Sequence, residues 1–217
     1  TWTLTADGTM TISGSGEMKE YYGSDDSPAY DNSKIKKVVI ENGITSIGAY
    51  AFSSCSNLTD ITIPDSVTSI GEYAFQNCSS LTEITIPSSV KSIGANAFSD
   101  CTGLISITIP KSVTSIGDDA FSGTSWLTNK QQDNPLVIVN GILIDGTTCS
   151  GKVTIPDGVT SIGNFAFYNC TGLTSITIPK SVTSIGTDAF YGCDDSLEIT
   201  VPCDSTLIKD VFGYASE

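Results

Sequence analysis

SVTSIGEYAFQNCSSLTEITIP, residues 66–87, recurs with small changes as SVKSIGANAFSDCTGLISITIP at 89–110 and is preceded by GITSIGAYAFSSCSNLTDITIP at 43–64. Two further copies, GVTSIGNFAFYNCTGLTSITIP at 158–179 and SVTSIGTDAFYGCDDSLEITVP at 181–202, follow an interruption, and a weaker one, IKKVVIENGITSIG, begins at Ile35. The spacing is constant: Cys55, Cys78 and Cys101 lie 23 residues apart, as do Cys170 and Cys193. Self-similarity at a fixed period of this length marks a solenoid, in which each copy forms one coil and stacks only on its neighbours.

Each column of the repeat has a physical role. In LTDITIP, Leu58, Ile61 and Ile63 have the L-x-x-L-x-L spacing of a leucine-rich strand and are expected to point inward. Asp60 and Thr62 then face out, because side chains alternate along a strand. Pro64, Pro87, Pro110, Pro156, Pro179 and Pro202 lack an amide hydrogen and should end each strand's pairing. Gly48, Gly71, Gly94, Gly117, Gly163 and Gly186 mark a corner that needs positive φ or close backbone approach. Ala74 and Phe75 are expected on a short helical or 3₁₀ turn, with Phe the largest core filler. Cys78 and its equivalents form an inward column of free thiols, since a strand spacing of about 4.7–4.9 Å exceeds the ~3.8 Å Cβ separation of a disulfide.

The unit SVTSIGxxAFxxCxxLTxITIP, over about residues 35–203, resembles the BspA-like leucine-rich repeats of bacterial and protist cell-surface proteins. The leader TWTLTADGTMTISGSGEM is similar to the segment that often precedes them; by itself it reads as a β-hairpin with Asp7-Gly8 between alternating strands, covering the open end of the solenoid. The expected fold is α/β and β-rich: a right-handed leucine-rich repeat solenoid of 23-residue coils, with a parallel sheet on one face, short helical or 3₁₀ turns on the other, and an N-terminal β-hairpin cap. The expected organisation is 1–34 for the cap and an acidic loop, 35–203 for the repeats with one degenerate copy at about 124–147, and 204–217 for a C-terminal cap. The resemblance implies an extracellular, adhesive protein whose signal peptide has been removed, and the chain opens on Thr1-Trp2-Thr3-Leu4 rather than on Met.

Ten Lys, with no Arg and no His, stand against 24 Asp plus Glu, for a net charge of −14. That weighs against nucleic acid and anionic membranes as partners, since both need clustered positive charge. Without His the chain lacks the commonest general base and transition-metal ligand, and without Arg it lacks a bidentate clamp for phosphate or carboxylate. Its longest apolar runs, Leu136 to Val139 and Ile142 to Ile144, fall far short of the roughly 20 residues of a bilayer helix, so no membrane insertion is expected. No cofactor or metal is expected either. Gly14-Ser15-Gly16 lacks the full G-x-G-x-x-G spacing, and Asp25, Asp26 and Asp31 lack EF-hand spacing and read as a solvated acidic loop. Near-equivalent cysteines with no His give no distinguished nucleophile, so the chain is not expected to be an enzyme. Asp60 and Glu83 form the one carboxylate pair that glycoside hydrolysis would use.

The interruption contains TNKQQDNPLVIVNGILIDGT, residues 128–147. Phe121 to Phe167 is 46 residues, two periods, so nothing has been inserted. Carrying the register through places Leu127 in the Leu column, Leu136 in the Val column, Val139-Asn140 in the Ile-Gly columns and Leu143-Ile144 in the Ala-Phe columns. Lys130 and Gln132 fall in inward Ile columns, where neither belongs unpaired. The strand is therefore expected to be lost, with Asn129 to Asn134 bulging outward while Leu136, Val139, Leu143 and Ile144 stay in the core. VIVNGILI reads as an ordinary coil with Asn140 at the corner, or as a hairpin with Asn140-Gly141 in a type I′ turn; alternating bulk on both sides favours the hairpin. The segment is either a spacer that re-aims the second half or a dedicated recognition site.

The outward columns are where binding is expected. Lys37, Asp60, Glu83, Ser106, Asn129, Lys152, Ser175 and Glu198 vary, beside a nearly constant Thr62, Thr85, Thr108, Gln131, Thr154, Thr177 and Thr200. Variation confined to one face of a fixed scaffold is what a recognition surface looks like, although Thr–Thr pairs across strands also stabilise sheets. The expectation is a non-enzymatic module recognising a protein ligand through this exposed β face. The alternative is carbohydrate or cell-wall attachment through Thr and exposed tyrosines such as Tyr50, Tyr73 and Tyr168.

Overall fold

The computed structural model describes residues 1–22 and 27–202, so Asp25-Asp26, Cys203 and the expected cap at 204–217 lie outside the described residues. The chain forms two compact units, Thr1–Asn129 and Lys130–Glu217. Each is a β-solenoid whose coils have three sides.

On the first side of unit one, the strand Lys37–Ile40 pairs in parallel with Asp60–Thr62, and Glu83–Thr85 pairs with Ser106–Thr108. Each residue faces its equivalent one period on, as in Lys37 opposite Asp60 and Glu83 opposite Ser106. Thr and Ile suit a pleated, half-buried surface, and the following proline closes a turn in which the Val67, Val90 and Val113 amides each donate to the proline carbonyl three residues back. The second side is also a parallel ladder, which the sequence reading did not anticipate: Gly16–Glu17, Ile44–Ile47, Ser69–Ile70, Ser92–Ile93 and Ser115–Ile116 lie in order. Two-residue strands carry no periodicity to recognise.

The third side, expected to be helical or 3₁₀, is instead a stack of turns. Gln76 and Cys78 donate back to Tyr73 and Phe75 within the coil, whereas Tyr50, Phe52 and Ser54 donate to the Glu72, Ala74 and Gln76 carbonyls of the next coil at 2.9, 2.8 and 2.7 Å. Every second amide thus runs along the stack, and a helix cannot form when its N–H groups are spent between coils. The turning is done by positive φ at Tyr50, Ser54, Tyr73, Asn77, Asn96 and Asp100. The glycine column has the other role proposed for it. A Cβ on Gly71 would lie 2.6 Å from the Ala49 amide nitrogen, so glycine is required there for close approach of successive coils.

The leader does more than cap. Trp2–Leu4 and Thr9–Ile12 form the expected antiparallel hairpin, but Thr9–Ile12 also pairs in parallel with Lys37–Ile40. Residues 27–35 then complete a turn side in register with the repeats. The Cys55 thiol donates to the Ala29 carbonyl at 2.9 Å just as Cys78 donates to Phe52 at 3.2 Å, so Ala29 stands in the Phe column.

Leu58, Leu81 and Leu104, the Val column and the phenylalanines make the core. Phe52, Phe75, Phe98 and Phe121 stack with centroids 5.4, 5.3 and 5.8 Å apart, and Trp126 closes this stack 4.9 Å from Phe121 at a tilt of 58°. In unit two, Phe167 and Phe190 stack at 5.2 Å.

The interruption begins with a helix, Ser125–Asp133, rather than a bulge. Thr124 caps it, its hydroxyl accepting from the Leu127 amide at 3.1 Å, and Trp126 and Leu127 are buried while Thr128, Asn129, Lys130, Gln132 and Asp133 are exposed. Asn134-Pro135 ends it. The hairpin reading of VIVNGILI holds. Val137–Val139 pairs antiparallel with Ile142–Asp145, and Asn140 and Gly141 have φ of 51° and 82° as a type I′ turn requires. The register carried through from the repeats does not hold. Leu143 pairs with Ile162, placing it in the Ile column, and Gly146 takes the place of Phe, donating to Ala166 as Phe167 donates to Ala189. Helix and hairpin consume residues that an ordinary coil would have spent on a strand. Leu143 is fully buried; Leu136, Val139 and Ile144 are half-buried.

Candidate binding face

The first-side strands present two outward rows in each unit. In unit one, Asp60, Glu83 and Ser106 form one row and Thr62, Thr85 and Thr108 the other, all exposed. In unit two, Gly151–Thr154, Leu173–Thr177 and Glu198–Thr200 form a parallel sheet in which Lys152, Ser175 and Glu198 face one another in register, as do Thr154, Thr177 and Thr200. All of these are exposed except Ser175, which is half-buried. Asn129 and Gln131 are not on this face. They belong to the helix, and the Gln131 side-chain amide is turned toward the hairpin, donating to the Asp145 carboxylate at 2.9 Å.

Some threonines of the coil hold the stack together and others do not. The hydroxyls of Thr59, Thr68 and Thr183 each donate to a backbone carbonyl of the preceding coil, at 3.1, 3.1 and 3.2 Å, and so staple the stack. No side-chain hydrogen bond joins Thr62, Thr85 or Thr108 to another described residue, so the fold does not use those hydroxyls. The charges differ too. Lys37 and Asp60 pair at 2.6 Å across adjacent strands, both half-exposed, which in water is worth about 0–1 kcal/mol. Glu83 stands without a salt bridge among the described residues. Beside it lies Ile105, 59% exposed, in a column that holds Lys36, Thr59, Thr82 and Thr174 in other copies and a half-buried Leu197 in the last. That exposed apolar residue was missed, although aligning the copies shows it where most of the others are polar.

The tyrosines lie on the turn side, away from the strands. Tyr50 and Tyr73 stack at 4.6 Å and are half-buried, while Tyr168 and Tyr191 stack at 5.6 Å and are exposed. Tyr191 was not singled out from the sequence.

The cysteines are built into the core. Cys55, Cys78, Cys101, Cys149 and Cys170 are buried, Cys193 is half-buried, and all six are free thiols. The Cys78, Cys101 and Cys193 thiols donate to the Phe52, Phe75 and Phe167 carbonyls at 3.2, 2.9 and 3.2 Å. Burial pushes the Cys55 and Cys149 thiols up to about 12, and a hydrogen bond with Cys101 together with burial holds Cys78 well above the ordinary thiol range. Among the described residues no group of three or more Cys, Asp or Glu is arranged to hold a metal ion, and no helix is long and apolar enough to cross a membrane.

Comparison with known proteins bears on the same features. The profile of the BspA type leucine rich repeat region matches residues 26–140 and 146–216 in six copies, breaking within the hairpin. A leucine-rich repeat protein from Eubacterium ventriosum is 26% identical, with a TM-score of 0.54 over 92% of this chain and 70% of that one. The leucine rich repeat protein of T. pallidum is 24% identical, with a TM-score of 0.49 over 100% of this chain and 94% of that one. A leucine rich cell surface protein from Faecalibacterium prausnitzii is 27% identical, with a TM-score of 0.46 over 92% and 73% of the two chains. No curated protein matches. With the repeat profile covering most of the sequence and the coil geometry that such a repeat produces, the chain belongs to the BspA-type leucine-rich repeat family.

Proposed function

We propose that the chain is a non-enzymatic binding module of the cell surface, recognising a protein partner through the outward rows of its first-side strands. The observation that carries this reading is the division of the threonines. Thr59 and Thr68 staple coils together, whereas Thr62, Thr85 and Thr108 leave their hydroxyls outside the fold's own hydrogen bonding, next to residues that change from copy to copy. Ile105 adds an exposed apolar group to the same face, where contact with a partner would take it out of water. The extracellular location and adhesive role rest on the family, whose repeat is a scaffold fold. Catalysis is disfavoured at Asp60 and Glu83. Both carboxylates are exposed, and Asp60 is occupied by Lys37, whereas a hydrolytic pair needs one acid kept protonated by burial.

One observation favours a second reading. The exposed, stacked Tyr168 and Tyr191 offer an aromatic strip of the kind that also takes sugar rings. An affinity pull-down from host or neighbouring-cell surface extracts, run beside a glycan array, separates the two. The protein reading predicts a captured partner lost in the Glu83→Lys, Ile105→Asp double variant but retained by Tyr168→Ala. Capture unchanged by the double variant, with array signal lost in Tyr168→Ala, reverses the order.

A further inference from the structure

The phenylalanine stack of unit one is closed at one end by Trp126 and left open at the other. Phe52 stacks on Phe75 at 5.4 Å, and among the described residues no ring covers its opposite face. The residue one coil earlier in the same column is Ala29, fixed there by the Cys55 thiol on its carbonyl and by the Asp31 amide donating to Ser53, the same bond that Ser54 makes to Gln76. The repeat's geometry therefore reserves space for a ring at this position, and the sequence does not supply one.

The space is not closed by collapse. A cavity of about 210 Å³ lies between the hairpin and the first coil, lined by Phe52, Met10, Ile12, Met18, Ile44 and Trp2. The other gap in the phenylalanine column behaves differently. At Gly146 a Cβ would overlap the Phe167 ring, so the neighbouring ring already occupies the room that a missing side chain would have left. Only at Ala29 does the missing ring leave a void. An apolar cavity of about 150 Å³ stays dry and admits benzene. This one is large enough for a single ring, and its walls supply an aromatic face and two thioethers, both of which favour aromatic partners. Ser13, Ser15, Glu17 and Lys19 also line it, and as the last three are exposed, one side of the cavity is polar, carries one charge of each sign and reaches solvent.

We infer that this cavity is a binding site for a small neutral aromatic molecule of one ring bearing one polar substituent, of the phenol class. The ring takes the place of the absent phenylalanine, stacked on Phe52, and the polar group points to the serine side. The site is separate from the outward strand rows and does not depend on the function proposed for them.

The chain contains two methionines, Met10 and Met18, and both line the cavity. A methionine-methyl ¹³C spectrum of the whole chain therefore reports on this site alone. With phenol as the probe, both methyl resonances should move saturably at millimolar concentration through the ring current. In Ala29→Phe, which places a ring in the void, both should be displaced before any addition and should then fail to respond, with the melting temperature raised. Met10→Trp is a second filling variant should Ala29→Phe not fold; in it the Met18 methyl should cease to respond. Methyl resonances that ignore phenol in the unaltered chain would overturn the inference, as would a response that survives in either folded filling variant.

Discussion

At the scale of single residues, the cysteine column joins packing to titration. Each thiol is a small apolar group, and those of Cys55, Cys78, Cys101, Cys170 and Cys193 give their one proton to a carbonyl of the preceding coil, so ionising them both buries a charge and breaks a hydrogen bond. At Cys149 it is chiefly burial that opposes the charge. The folded chain therefore binds these protons more tightly than the unfolded chain, in which a thiol has its ordinary value of 9.0. Stability contributed by Cys55 and Cys149 is present in full below about pH 9 and is lost as pH rises toward about 12, because over that window only the unfolded chain ionises. The slope should reach on the order of 1 kcal/mol per pH unit for each buried thiol, measured as urea midpoints at successive alkaline pH values; a flat profile would contradict the burial. Reaction with a thiol reagent at neutral pH should likewise wait for unfolding. The inward identity of Leu58, Phe75 and Cys78 was legible because those columns hardly vary. The positive φ of Asn77, Asp100 and Asn169 was open to reading too, since Asn and Asp favour that region, but that of Tyr50, Asn96 and Phe165 was not, because the residues in that column are chemically unlike.

At the scale of elements, the interruption shows where pattern reading failed. Lys130 and Gln132 do reject the inward strand positions, as charge and polarity demand, but the chain answers with a helix. The signals were present in Thr124-Ser125 as a cap, Trp126-Leu127 as a buried pair, and a Pro135 stop. They were masked by holding the 23-residue register through a segment that does not keep it. The hairpin was legible because Asn-Gly between bulky alternating residues has one favoured geometry. What the register missed was Gly146, which admits the Phe167 ring into the place of a lost phenylalanine. Gly146→Ala should force that ring aside and destabilise unit two by about 1–3 kcal/mol, read from hydrogen exchange of the Gly151–Thr154 and Leu173–Thr177 amides. Unchanged protection would mean that the ring has room to move.

At the scale of the whole molecule, charge and hydrogen bonding answer different questions. The net charge of −14 says which partners the surface repels and nothing about the fold. The solenoid follows from bonds that each reach one coil and no further: Thr68 to Thr45, Lys91 to Thr68, Thr114 to Lys91, Thr183 to Thr160. A chain wired this way counts in whole turns. Removing residues 66–88, one full period, leaves every remaining donor an equivalent acceptor, and the shortened chain should still unfold cooperatively with the same far-ultraviolet spectrum per residue. Removing 66–87 instead shifts all later columns by one position, turning leucines and phenylalanines of unit one to the wrong side, and should give an unfolded or aggregating product. The gene for such a protein can therefore gain or lose recognition surface by unequal crossing-over between near-identical copies, without having to reinvent a core each time.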